Sequence, residues 1–147
     1  MISIGYDESC DLAIITVKGD VLIGEIAQAA VDQMQQRVTK RVLWDLRLGS
    51  ITDATRENMQ ALVGGTRSSA ANTDERRVAI VVGTDIQAVL GRLYLMVTEE
   101  MKSQSSHRVF MELGEACAWL DVPCMEKRPP AVVWHADSSN GVGSRDT

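Results

Sequence analysis

Apolar residues fall at alternate or consecutive positions in five short stretches and recur three and four apart in four others. ISIGY (2–6) and LAIITV (12–17) flank the turn-rich DESCD, which predicts an antiparallel hairpin. Ile23, Ile26, Ala27, Ala30, Met34 and Val38 then define one helical face. VLWDL (42–46) reads as a third strand, ended by a Gly49-Ser50 turn. A second helix is expected from about Asp53, with Met59, Leu62, Val63 and Thr66 on its stripe. Running that helix to about Ser68 keeps the polar connection AANTDE short, and gives Gly64 and Gly65 a role in close backbone packing. RVAIVVG (77–83) is apolar at consecutive positions, as a central strand covered on both faces should be. Val78, Ile80 and Val82 should face one layer, Ala79 and Val81 the other. Thr84 and Gln87 have capping-box spacing and open a third helix, with the stripe Ile86, Val89, Leu90, Leu93, Tyr94, Val97 and Met101. A smaller apolar set on its other sides, Ala88, Gly91, Leu95 and Met96, means either an all-round cover or an interface. HRVFMEL (107–113) is the fifth strand, and GEACAWL a short last helix with Ala116, Cys117 and Leu120 on one face.

The order β-β-α-β-α-β-α-β-α predicts an α/β domain over residues 1–122, a mixed five-stranded sheet with about four helices. The three prolines, Pro123, Pro129 and Pro130, all follow it. Residues 123–147 therefore read as a Pro-containing C-terminal tail, within which AVVWHAD (131–137) is strand-like and able to lie along a sheet edge.

This order, with a short strand-turn-helix after the third strand, resembles STAS domains, the folds of bacterial anti-sigma-factor antagonists and of the cytoplasmic ends of sulfate transporters. In the antagonists a pattern like D-L-x-x-V-x-x-I-D-S-S-G joins strand three to helix two. The matching run here is Asp45-Leu46-Arg47-Leu48-Gly49-Ser50-Ile51-Thr52-Asp53-Ala54-Thr55-Arg56. Asp45 and Asp53 fall in register, and Thr55 stands where those proteins carry a serine phosphorylated by a partner kinase. Ala54 and Thr55 replace the serine pair, and Arg56 the glycine that lets a partner approach. RRVAIVVG and VFMELGEACAWL are also similar to the fourth strand and the closing E-A-x-x-W-L helix of the SpoIIAA-like, or STAS/SEC14-like, group. The resemblance implies a non-catalytic regulatory domain, without a cofactor, that docks a kinase, an anti-sigma-like protein or a copy of itself. The SEC14-like side of the group implies the alternative of a small apolar ligand, held in a cleft under the third helix near Leu93, Tyr94 and Val97.

Read from the residues alone, Asp53 is an N-cap of the second helix, accepting from its first-turn N–H groups. Thr55 would then lie in the first turn, either as a phosphoacceptor beside free donors and Arg56, or packed on the side of Met59. Asp45 either holds the turn after strand three or forms, with Arg47, Asp53 and Arg56, a rim that docks a partner, with the Gly83-Thr84-Asp85 turn beside it.

Charge and composition narrow the classes. The 147-residue chain is 45% hydrophobic and 24% charged, with net charge -5, no basic stripe and six aromatic residues, which argues against nucleic-acid binding. Cys10, Cys117 and Cys124 form no C-x-x-C, and His107 and His135 lie far apart, so no metal is expected. GGTRSS lacks the spacing and lysine of a phosphate loop, and no G-x-S-x-G elbow occurs, so no catalytic motif is found. No apolar run approaches the ~20 residues of a membrane span, and no signal peptide is apparent at the start, so the expected location is cytoplasmic.

Overall fold

Strands alternating with single helices set the connectivity of the sheet. The computed structural model describes residues 1–67, 69 and 72–123, with the backbone of 133–135. In chain order come β1 (Ile2–Asp7), a 3-10 turn (Glu8–Cys10), β2 (Leu12–Val21), α1 (Ile23–Gln36), β3 (Arg41–Ile51) and α2 (Arg56–Arg67). β4 (Arg77–Val81), α3 (Asp85–Glu100), β5 (Ser106–Phe110), α4 (Leu113–Leu120) and β6 (Val133–His135) follow. The strand order is β5-β4-β3-β2-β1-β6. β1 pairs antiparallel with β2 and β6, and the remaining ladders are parallel. The expected mixed five-stranded sheet and four helices are there, and three tail residues add a sixth strand on the β1 edge. Cys124 and the rest of the tail lie outside the described residues.

The hairpin turn is tied locally. Asp7 accepts from the Ser9 amide and hydroxyl at 3.1 and 2.6 Å. Asp11 takes the left-handed conformation (φ 52°) and also receives β3: its carboxylate accepts from Lys40 N at 3.0 Å and its carbonyl from Arg41 N at 3.2 Å.

β4 lies between β3 and β5, with Val78, Ile80 and Val82 toward α1–α3 and Ala79 and Val81 toward α4, as its consecutive apolar residues predict. On the α4 face, Leu12, Ile14, Leu43 and Phe110 meet Leu113, Ala116, Cys117 and Leu120. Arg41 Nε donates to the Leu120 carbonyl and Arg77 to that of Trp119, each at 2.7 Å, satisfying the open C-terminal end of α4.

The opposite face departs from the periodicity in three ways. Gly49 and Ser50 do not form a turn; they continue β3, which pairs with β2 out to Ile51 after a bulge. Opposite Val17, β3 fits in the two residues Leu46 and Arg47, and a Cβ on Gly49 would stand 2.7 Å from Val17. Second, α3 is rotated: Ala88 and Gly91 face the sheet, while Ile86 (75% exposed) and Val89 (58%) point to solvent. Small residues let this helix sit close, since a Cβ on Gly91 would meet Val109 at 2.9 Å. Third, Gly64 and Gly65 are exposed and bring no backbone close, and Val38 lies exposed beyond the end of α1.

Candidate functional site

The β3 bulge carries two of the expected rim residues, and they satisfy each other. Arg47 donates to Asp45 through Nε and a terminal nitrogen at 3.0 and 2.9 Å, and its amide to the same carboxylate at 3.1 Å. Burial pushes the Asp45 carboxyl up, but the Arg47 bonds outweigh it and hold it below the usual range. Gln87 on α3 pins this bulge, donating to the carbonyls of Leu46 and Gly49 while accepting from Gly83 N at 2.7 Å. Thr84 caps α3 as expected, accepting from Gln87 N at 3.1 Å.

Asp53 is not the cap of α2. Its carboxylate accepts from Ile23 N at 2.6 Å, so it serves the first turn of α1 instead. Thr55 is the residue that caps α2: its hydroxyl accepts from Asn58 N at 3.1 Å, and it is exposed rather than packed beside Met59. The helix begins two residues later than the Asp53 reading requires, which shifts the capping role onto the threonine. Arg56 pairs with Glu100, the last residue of α3. Because α3 runs 16 residues, about 24 Å, Arg56 is held at the opposite end of that helix from Arg47 and Gly83. The four rim residues therefore do not converge.

A second location lies under α3, where the alternative reading expects a cleft, although only one of the three residues named for it takes part. Between the sheet and α1, α2 and α3 lies a partly open cavity of about 120 Å³. Ile26, Met34, Trp44, Met59, Ile80 and Leu90 give it an apolar wall; Tyr94 lines it, but Leu93 and Val97 do not. Among the described residues, the lining holds no carboxylate, serine or cysteine.

At the β4–β5 end the lining turns polar with Arg76, Tyr94 and His107. Arg76 is 9% exposed. Its guanidinium makes one long hydrogen bond, 3.4 Å to the Gln33 side-chain oxygen, and Nε has no partner among the described residues. None of the ion pairs among those residues includes it. Gln33 is itself buried, its amide spent on the Arg37 carbonyl at 2.8 Å and on Thr39.

Tyr94 stands edge-on to His107, ring centroids 5.7 Å apart. Burial pushes the Tyr94 hydroxyl up to about 12, opposed by the Arg76 charge. Burial likewise pulls His107 down to about 4, aided by Arg76 and opposed by the bond from Nδ1 to the Ser105 carbonyl, 3.1 Å. At neutral pH the group is thus one cation flanked by two neutral rings. Position parity could have pointed to it: Arg76 is in phase with Val78, Ile80 and Val82, and His107 pairs with Val78.

Among the described residues, no helix is long and apolar enough to cross a membrane, and no three His, Cys, Asp or Glu side chains are grouped to hold a metal. Compared with models of known protein families and with curated proteins, the chain matches none.

Proposed function

We propose that this protein is a non-catalytic binding protein whose ligand is a small, largely apolar molecule lodged between the sheet and α1–α3. The cavity of about 120 Å³ carries this reading. An apolar cavity of about 150 Å³ accepts benzene or xenon, and this one is of the same order and partly open, which suits a ligand of about that girth. Ligand sites are typically apolar with a few placed polar groups, which describes this lining. The described lining has no carboxylate, serine or cysteine, and its Thr66 hydroxyl is turned to the Leu62 and Val63 carbonyls of its own helix, which supports binding rather than turnover.

The test is benzene titration followed by thermal melting. A saturable rise in melting temperature is expected, abolished by Ala30→Phe, which fills the cavity from α1. No shift with the unmodified protein would overturn the reading.

A second reading, the protein-docking module that the STAS resemblance implies, is favoured by the exposure of Leu48 (72%) and Ile86 beside the bulge. Thr55, exposed at the N-terminus of α2, is the modification site in that reading, and the partner a kinase, an anti-sigma-like protein or a second copy. Because Asp45, Arg47 and Arg56 are already paired, apolar contact rather than charge would carry the affinity. Leu48→Asp with Ile86→Asp should then abolish capture of a kinase or anti-sigma partner and any self-association seen by sedimentation; unchanged binding would remove this reading.

A further inference from the structure

Among the described residues, Arg76 is a buried cation with almost none of its donors satisfied. Burying a guanidinium is strongly unfavourable unless an anion or a full set of acceptors replaces water. Here the one side-chain hydrogen bond to the described residues goes to a neutral amide at 3.4 Å, and Nε has no partner among them. Arginine keeps its proton in such a setting, so the charge persists. A buried cation without a counter-ion among the described residues, lining a largely apolar cavity, is half of a recognition pair.

We propose that the cavity takes an amphipathic monocarboxylate, its carboxylate against Arg76 and its apolar body against Trp44, Met59, Ile80 and Leu90. This rests on the reading of the cavity as an apolar-ligand site and adds the polar end of the ligand. The planar guanidinium fork matches two carboxylate oxygens, and such charge-assisted pairs are among the stronger hydrogen bonds. One cation neutralises one negative charge; a phosphate would bring more charge and three oxygens, for which the lining has no second cation. Tyr94 offers the additional donor, since its hydroxyl makes no hydrogen bond to the described residues and stays protonated at neutral pH. His107 is not a ligand to the anion. Its Nδ1 proton points at the Ser105 carbonyl, so neutral His107 presents a lone pair at Nε2 and has nothing to donate. The cavity is somewhat smaller than one that accepts benzene but partly open, so the far end of an eight-carbon chain can extend out of it.

The experiment is calorimetric titration at pH 7 with sodium octanoate, 1-octanol and octylamine. The unmodified protein should bind octanoate about tenfold or more tighter than octanol, and octylamine weakest. Arg76→Met should bring octanoate down to the octanol level while leaving octanol unchanged, and Tyr94→Phe should produce a smaller, selective loss. If octanol matches octanoate in the unmodified protein, or if Arg76→Met spares octanoate, the carboxylate assignment fails and the apolar site stands. If benzene, octanol and octanoate all fail to bind, the apolar-ligand reading itself fails, and this inference with it. Should Arg76→Met not fold, the octanoate-to-octanol ratio of the unmodified protein and the Tyr94→Phe loss decide the matter.

Discussion

The sheet is covered by one short helix on one side and by three helices on the other. α4 has eight residues, yet Leu12, Ile14 and Leu43 beneath it and its own Leu120 are almost wholly excluded from solvent, and two arginines clamp its final carbonyls. α1, α2 and α3 bring far more chain and still enclose a cavity, with a guanidinium, a phenol and an imidazole at one end. Helix count does not decide how well a face is sealed; the match of side-chain volume to the gap does. The α4 face is built for stability, whereas the opposite face keeps polar groups and unfilled space of the kind associated with binding.

The largest expected contrast comes from shortening a leucine on each face. Leu43→Ala, under α4, should destabilise by about 3 kcal/mol or more, through lost transfer energy and the void left behind. Leu46→Ala, at the half-buried cavity wall, should cost less than half as much in the same urea titration. Equal losses would mean that the two faces are packed alike.

Acid should strike the cavity face selectively. His107 takes up a proton near pH 6.5 when unfolded but only near 4 when folded, so the unfolded state binds more protons between these values. Stability should be unaffected by this group above pH 6.5 and fall by about 3 kcal/mol as pH drops to about 4. His107→Phe should flatten that part of the stability–pH curve. An unchanged curve would show that the histidine is solvated in the native state.

Smaller effects belong to the helix starts. Asp53→Ala should cost about 1–2 kcal/mol, with the loss at α1 rather than α2, visible as faster amide exchange near Ile23. Thr55→Ala should cost about 1 kcal/mol through the lost cap of α2, whereas Thr55→Glu should leave the fold intact, because its carboxylate can serve the same N-terminus. Smallest of all, Arg56→Ala should leave the urea midpoint unresolved from the parent, since its pair with Glu100 is a surface contact.

Element order, the interior position of β4 and the Thr84–Gln87 cap were legible because each is written in local sequence. The rotation of α3 was not, because periodicity identifies an apolar stripe without saying which part meets the sheet. Ala88 and Gly91 won that place by size, leaving Ile86 and Val89 outside. The Gly49-Ser50 stretch carries turn residues, but the bulge required a glycine against Val17 inside a longer strand. Arg76 reads as a charged residue preceding a strand; its burial is set by Gln33 and Tyr94, distant in sequence.

The β1–β2 hairpin has a consequence for how the chain finds this fold. It is the one ladder among β1–β5 whose partners are neighbours in sequence, Asp7 facing Leu12. The parallel ladders join Leu12 to Arg41, Arg41 to Arg77 and Arg77 to Ser106, each across a whole helix. Closing those crossovers loses chain entropy before any contact compensates it, so local pairing has the kinetic advantage. Asp11 ends that hairpin and also holds the amides of Lys40 and Arg41, so the earliest structure carries the docking point for the first crossover. Chain entropy alone thus favours assembly in the order of synthesis, from the hairpin outward to β3, β4 and β5.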